Sequence, residues 1–235
     1  MDQKLRICSI CARGGSKGIK NKNIKLINGK PLIIYTLEQA KLSNVFDEIA
    51  VSSDSEDILK VASEFGIKNL IHRPEYLATD SAPKIPVIQH CVLEVEKNKN
   101  LKFNTMVDLD ATAPLRSIED IKNAINLLET KNVSNVITAT KSRRSPYFNL
   151  VELNEKGVVE LSKKIDSQII RRQDSPKCFD MNASIYVWNR ESFFKFNTVF
   201  LQDTALYEMP EERSIDIDSE LDFEFVEFLI KKNNI

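Results

Sequence analysis

Apolar and polar positions are laid out in short blocks along the chain. Residues 5 to 10 form an apolar run of strand length that begins at Leu5. After Pro31, which suits a first helical turn where its missing N–H costs nothing, Leu32, Ile33, Leu37 and Ala40 recur at helical spacing. Residues 48 to 52 read as a second strand. Ser53-Asp-Ser-Glu56 has the spacing of a capping box, and Ile58, Leu59, Val61, Ala62 and Phe65 continue a helix that Gly66 stops. A third short strand is expected at 68 to 71, a helix at about 85 to 97, and a fourth, central strand at 103 to 109. Ser117-Ile-Glu-Asp120 caps another helix to about Leu128, and residues 135 to 140 form a fifth strand. This alternation predicts an α/β fold, a mainly parallel sheet flanked by helices.

The alternation loosens after residue 140. Strand-like pieces at 148 to 153 and 158 to 161 are separated by polar linkers carrying Arg143-Arg144 and Arg171-Arg172. Residues 141 to 182 are therefore read as an excursion from the main sheet that reaches a partner subunit. A clear strand returns at 183 to 188, a short helix near 191 to 195, an extended piece at 214 to 218, and a final amphipathic helix at 220 to 231. On that helix Leu221, Phe225, Phe228 and Leu229 are expected to form the apolar side. No repeat or low-complexity segment divides the 235 residues, so one domain is expected over 1–235.

A formal charge of −1 argues against a general nucleic-acid binder. No apolar run approaches the roughly 20 residues of a membrane span. With no signal-peptide pattern, a cytoplasmic protein without membrane contact is expected. Four cysteines fit that compartment. Cys8 and Cys11 have the C-x2-C spacing of half a zinc or redox site, but no second pair exists and His72 and His90 lack metal spacing. The cysteines are expected to be structural, with Cys8 and Cys11 on the first strand and its edge.

Charge is concentrated rather than excessive. Residues 13 to 30 hold Arg13, Lys17, Lys20, Lys22, Lys25 and Lys30 and no acid. This stretch leaves the carboxyl end of the first strand with Gly14, Gly15 and Gly18. Such a loop lets backbone N–H groups approach a phosphate while the cations neutralise it. Neither the Walker A nor the G-x-G-x-x-G spacing is present, because Gly14 and Gly15 are adjacent and Gly18 precedes Ile19. A solvated basic loop is the alternative.

Two further constellations carry candidate chemistry. Residues two apart on an extended chain share a face, so Asp216 and Asp218 would point together, with Ile215 and Ile217 buried behind them. Carboxylates roughly 6–7 Å apart along a strand can flank one hard cation, and with a phosphate loop they suggest magnesium-assisted phosphoryl or nucleotidyl chemistry. An ordinary helix N-terminus is the alternative. The fourth strand ends in Asp108-Leu-Asp110 and a Pro-Leu-Arg116 turn, where ligands of open α/β sheets bind. Arg73, Arg116, Arg171 and Arg172 are candidate anion contacts, and Ser184 and Tyr186 share a strand face.

In this order the segments resemble the CMP-N-acylneuraminate (CMP-sialic acid) synthetase family of cytidylyltransferases. The resemblance lies in Ile10-Cys-Ala-Arg-Gly-Gly-Ser-Lys-Gly-Ile-Lys-Asn-Lys-Asn23, in Arg73-Pro74 with Leu77-Ala-Thr-Asp80, and in Thr112-Ala-Pro-Leu-Arg116. It continues in Arg172-Gln173 with Asn182-Ala-Ser-Ile-Tyr186, and in Ser214-Ile-Asp-Ile-Asp-Ser-Glu-Leu-Asp222. It implies a Rossmann-like nucleotidyltransferase fold and a homodimer whose excursion helps complete the partner's sugar pocket. CTP and a nonulosonic acid are the implied substrates, with magnesium or manganese as cofactor.

By this resemblance Arg13, Ser16 and Lys17, with the backbone of Gly14 and Gly15, hold the triphosphate. Lys22 lies near the α-phosphate, and Asn23 and Arg73 place the cytidine. Asp110, Arg116, Arg172, Gln173, Asn182, Ser184 and Tyr186 belong to the sugar acid. Asp216 and Asp218 bind the metal, and Asp218 helps deprotonate the attacking hydroxyl, with Lys22 and Arg13 as the other catalytic groups. Where sialic-acid enzymes show glutamine this chain has Asp110, which accepts hydrogen bonds but cannot donate them and so favours a sugar presenting N–H or O–H there. Asp180 stands where some carry a basic residue, and Pro83 and Lys84 stand where serines are common. These departures resemble most the branch that activates legionaminic acid. N-acetylneuraminate, pseudaminic acid and an eight-carbon octulosonate are the alternative substrates, and a non-catalytic nucleotide-binding module is the alternative from another class.

Overall fold

The structure is a computed structural model that describes residues 4–15, 18–165, 171 and 174–233. Its elements in chain order are β1 (Arg6–Cys11), a small hairpin of β2 (Leu26–Ile27) and β3 (Lys30–Pro31), α1 (Leu32–Ser43), β4 (Glu48–Ser53), α2 (Glu56–Glu64) and β5 (Asn69–His72). There follow α3 (Lys84–Lys99), β6 (Thr105–Leu109), α4 (Ile118–Lys131), β7 (Asn135–Lys141), β8 (Val151–Leu153) and β9 (Val159–Leu161). The last are β10 (Phe179–Asn189), α5 (Arg190–Lys195), β11 (Ala205–Glu208) and α6 (Glu220–Asn233).

The predicted mainly parallel sheet forms. Seven strands lie in the order β11-β7-β10-β6-β1-β4-β5. β4, β1 and β6 pair in parallel, as do β4 with β5 and β11 with β7, while β10 runs antiparallel to both neighbours. Alternate residues of each strand go to opposite faces. Cys8, Ile10, Val51, Val107 and Ile185 pack under α1, α2 and α4. Ile7, Ala50, Met106, Tyr186 and Trp188 pack under α3 and α5. Cys8 and Cys11 lie on β1 as expected.

A third, smaller core fixes the last helix. Phe223, Val226 and Ile230 of α6 pack with Ile19, Ile27, Leu32, Tyr35 and Ile217. Of the expected apolar side only Leu229 packs against this core, while Leu221, Phe225 and Phe228 are exposed. The helix carries two apolar stripes, and the one that meets the β2–β3 hairpin and the basic loop is buried.

Two other expectations are corrected, and one strand is new. β4 runs on through Ser53, so that residue is spent in the sheet and cannot cap α2. Ser55 takes the cap position without a side-chain bond, while Ser53 Oγ accepts the Ser55 N–H at 3.0 Å. The box at Ser117 and Asp120 does form. Pro31 precedes α1, paired with Leu26 in the hairpin. β11, a partly exposed edge strand, was not anticipated. The excursion carries β8 and β9 as a separate antiparallel hairpin with Val151, Leu153 and Val159 exposed.

Candidate active site

The chain leaves β1 for α1 and β4 on one side, and returns from β5 through α3 to β6 on the other. The crevice at this reversal lies beyond the carboxyl ends of β1 and β6, where open α/β sheets bind ligands. A cavity of about 400 Å³ occupies it. Arg13, Gly18, Lys22 and Asn23 come to it from the loop after β1. Arg73, Asp80 and Lys84 come from the β5–α3 connection, Asp110 and Thr112 from the end of β6, and Asp216 and Asp218 from the segment before α6.

The acidic segment is extended but joins no sheet. Ile217 is fully buried in the third core and its N–H donates to Thr112 O at 3.0 Å. Its neighbours Asp216 and Asp218 are thereby turned toward the cavity. Gly18 lets the basic loop lie directly on this segment: a Cβ there would collide with the backbone carbonyl of Asp218. Lys22 Nζ donates to Ile217 O and lies 3.3 Å from Asp218 Oδ1. The first and last motifs thus meet in space.

In this state carboxylates hold the loop's donors. Gly14 N–H donates to Asp54 Oδ1 at 2.9 Å, and Arg13 Nη1 bonds Asp80 Oδ1 at 2.5 Å. A triphosphate would compete with two acids for the same donors. Asn23 Nδ2 donates to Arg13 O at 3.0 Å, while its buried Oδ1 has no protein partner. Arg73 is buried, with Nη2 donating to Ser52 O at 2.8 Å and part of the side chain on the cavity wall.

A dense acid cluster with one lysine lies at the end of β6. Lys84 Nζ sits 2.9 Å from Asp110 Oδ2 and 3.2 Å from Asp108 Oδ2, with the Tyr186 ring centroid at 4.6 Å. Asp108 is fully enclosed, and Ser9 Oγ donates to its Oδ1 at 2.9 Å. Burial raises the Asp108 pKa above the usual carboxylate value despite Lys84. Burial would also raise Asp110, but Lys84 and the Thr112 N–H and hydroxyl hold it well below the usual range. Burial opposes the charge on Lys84, yet Asp110 and Asp108 outweigh it and raise its pKa.

Thr112 Oγ1 is 2.8 Å from Asp110 Oδ1 and also contacts Asp216 Oδ1. One hydroxyl proton cannot serve two ionised carboxylates. Asp216 is shifted upward, first by burial and then by facing Asp110, with the Thr112 hydroxyl working the other way. Asp216 and Asp218 present hard oxygen donors to a cavity that Arg13 and Lys22 also line, a donor set that fits a cation keeping water and phosphate ligands. Among the described residues no three acidic, cysteine or histidine groups converge on one metal position.

Several predicted sugar residues lie behind the cavity wall. Arg116 is buried, donating to Ser184 Oγ at 2.9 Å, Thr36 Oγ1 at 3.0 Å and the Asp110 carbonyl, and burial pushes its pKa down to about 10. Ser184 is fully enclosed, and Tyr186 is buried and stacked on Trp188. Asn182 is buried too, its Oδ1 accepting from Thr138 Oγ1 at 2.7 Å and its Nδ2 donating to Ser214 Oγ at 2.9 Å. It therefore ties β7 and β10 to the segment that carries Asp216. The register slip in β10 falls here, with Ala183 at φ 51°. Arg116, Ser184 and Asn182 are buried and spend their polar groups on Thr36, Thr138, Ser214 and each other, so in this structure they frame the site and do not line the cavity. Ser16, Lys17, Arg172 and Gln173 lie outside the described residues.

Sequence reasoning missed Lys84 and Thr112 as site residues. A lysine opening a helix, where the dipole disfavours a cation, was the signal for Lys84. Cys11 also touches the cavity, but a hydrogen bond with Cys91, and burial, push its thiol pKa up, which does not suit a nucleophile.

The family described as cytidylyltransferase matches residues 7–234. The chain belongs to that family. The cytidylyltransferase is 46% identical over 229 residues to the CMP-N,N'-diacetyllegionaminic acid synthase of Campylobacter jejuni, spanning 97% of this chain and 96% of that protein. It is 32% identical over 228 residues to the pseudaminic acid cytidylyltransferase of the same organism, with 97% of each covered. Among solved structures, CMP:2-keto-3-deoxy-manno-octonic acid synthetase complexed with CTP superposes with a TM-score of 0.71 at 15% identity, covering 98% of this chain and 100% of that one. That likeness concerns the fold. The expected Rossmann-like nucleotidyltransferase architecture is borne out.

Proposed function

We propose that this cytidylyltransferase transfers CMP from CTP to the anomeric hydroxyl of a nine-carbon 2-keto sugar acid, releasing pyrophosphate, and that the acid is a legionaminic acid. The observation that carries this reading is the meeting of Lys22 with Asp218 at the β1–β6 crevice, in a chain 46% identical over nearly its whole length to a CMP-N,N'-diacetyllegionaminic acid synthase.

The residues divide the work by charge. Arg13, with the N–H groups of Gly14 and Gly15, binds the triphosphate once Asp80 and Asp54 are displaced. Ser16 and Lys17 join them by resemblance. Lys22 stabilises charge that grows on the α-phosphoryl oxygens. Arg73 and the unpartnered Asn23 Oδ1 hold the nucleoside, Asn23 as an acceptor for a hydrogen-bond donor of the ligand. Asp216 and Asp218 hold magnesium or manganese, which when bound neutralises phosphate charge. Asp218, mostly exposed beside Lys22, takes the proton of the attacking hydroxyl. Asp110 faces the sugar, and Arg172 and Gln173 are assigned to it by resemblance. Much of the rate then comes from positioning the hydroxyl in line with the α-phosphorus.

The partner of the exposed apolar hairpin β8–β9 is a second copy of this chain, making a homodimer. The CTP requirement puts the enzyme in the cytoplasm. The test is to incubate the protein with CTP, magnesium and N,N'-diacetyllegionaminic acid and look for the CMP-sugar. The proposal expects its formation with one pyrophosphate per product, and CTP binding without product would return the chain to a non-catalytic role.

A further inference from the structure

The Lys84–Asp110 pair has hydrogen-bonding capacity left over, and this can be counted. Lys84 carries three N–H donors. One goes to Asp110 Oδ2 at 2.9 Å, and Nζ also lies 3.2 Å from Asp108 Oδ2 as an ion pair without a hydrogen bond. Asp110 accepts about four bonds. Its Oδ1 takes the Thr112 N–H at 3.1 Å and lies 2.8 Å from the Thr112 hydroxyl, which Asp216 shares, and its Oδ2 takes Lys84. At least one donor on Lys84 and one acceptor on Asp110 Oδ2 therefore remain side by side, and both residues line the cavity. The ammonium is held on its other sides by Asp108 and the Tyr186 ring, and its backbone is fixed as the first residue of α3.

We propose that Lys84 and Asp110 together form a two-point site for a hydroxyl group of the bound substrates, with Lys84 a specificity-determining residue for the reaction proposed above, on which this inference rests. A hydroxyl oxygen can accept from Lys84 and donate to Asp110 from the same atom, closing a three-membered ring of hydrogen bonds on the 2.9 Å pair. Other groups fit worse. A carboxylate or phosphate would face the Asp110 charge, and an ammonium would face Lys84. A keto or ether oxygen can use the donor alone. A trans secondary amide points its N–H and C=O in opposite directions and can meet one partner only. The hydroxyl belongs either to the sugar acid or to the ribose of CTP, and both offer the same chemistry to this wall.

The test is a cycle between protein and ligand. kcat/KM is measured for wild type and Lys84→Met with the natural pair, with 2'-deoxy- and 3'-deoxy-CTP, and with monodeoxy congeners of the sugar acid. One congener is expected to lose about ten- to hundredfold in the wild type. The same congener should lose little or nothing further in Lys84→Met relative to that variant's own rate with the natural pair. Whether it is a nucleotide or a sugar congener identifies the source of the hydroxyl. Because the coupling is a ratio within each variant, a general loss of folding or rate cancels. Should Lys84→Met not fold, Lys84→Gln, which keeps a neutral donor, is expected to show partial coupling to the same congener. Equal losses with every substrate in the folded Lys84 variant would make the lysine a structural counter-ion and overturn the proposal. A wild type with no turnover of any nonulosonic acid would overturn the proposed reaction, and this inference with it; a wild type that turns over without coupling would overturn this inference alone.

Discussion

Gly18 lies against the backbone carbonyl of Asp218, close enough that no Cβ fits between them. This contact brings the cationic loop and the carboxylate pair into one site, although they are 200 residues apart in number. Gly18→Ala is expected to push the loop off the acidic segment and lower kcat/KM by at least about tenfold, since small misplacements of reacting groups are costly. The loop sits at the surface, so thermal stability should fall by no more than about 1 kcal/mol. A kinetic assay with a parallel melt checks both. An Ala variant with full activity would mean that the loop's approach to Asp218 is incidental.

Lys22 contacts the acidic segment twice, at Ile217 O and Asp218 Oδ1. Lys22→Met should lower kcat by about 10²–10³-fold, the scale seen when one charge-stabilising donor is removed. The loss should appear in kcat more than in the dissociation constant of CTP, because in the proposed reaction the charge that Lys22 meets grows at the α-phosphoryl group during transfer. Steady-state kinetics with equilibrium CTP binding separates the two, and a loss confined to binding would move Lys22 from catalysis to affinity.

Asp216 also gives a pH prediction. Its pKa is raised by burial and by Asp110, so more of it is protonated at mildly acidic pH than of an ordinary carboxyl. The metal proposed to bind there must displace that proton. Apparent metal affinity is expected to weaken as pH falls through a midpoint above the ordinary Asp value of about 3.9. Chelation should abolish product formation at any pH. Turnover that survives exhaustive chelation would remove the metal from the account.

Stability has its own acid-sensitive link. Asp120, at the start of α4, accepts from Arg213 Nε at 2.8 Å and Nη2 at 2.9 Å, and from the Ser117 N–H at 2.8 Å. Burial would raise its pKa, but these bonds lower it below the ordinary value. A group with a depressed folded pKa stabilises fully above its unfolded value, near 3.9, and loses that contribution as pH falls through the folded value. Arg213→Met should cost about 2 kcal/mol at neutral pH and flatten the loss of stability on the acid side. Denaturant melts from pH 7 to 3 test this, and parallel acid limbs in both proteins would contradict it. Because Arg213 lies three residues before Asp216, the same variant should also raise the metal concentration needed for activity.

Much of this arrangement was legible in sequence. The strand–helix alternation to residue 140 needs only local pattern, and the basic loop and the Asp-Ile-Asp segment each advertise their chemistry by composition. What stayed hidden depends on contacts between distant residues. The two apolar stripes of α6 are equivalent until the β2–β3 hairpin chooses Phe223 and Val226. Ser53 reads as a helix cap until β4 extends through it. The hydrogen bonds of Arg116 to Thr36, and of Asn182 to Thr138 and Ser214, join segments far apart in sequence and could not be read from local pattern. Lys84 gains its meaning only from Asp108 and Asp110, which a different strand brings to it.

The central claim is nucleotidyl transfer to a legionaminic acid. It is tested most directly by pyrophosphate release from CTP and magnesium with N,N'-diacetyllegionaminic acid, N-acetylneuraminate and pseudaminic acid offered separately. The account predicts release with all components present and the highest kcat/KM for the legionaminic substrate. A higher kcat/KM for either other sugar would contradict the substrate assignment, and no release with any of the three, in protein shown to bind CTP, would contradict the reaction itself.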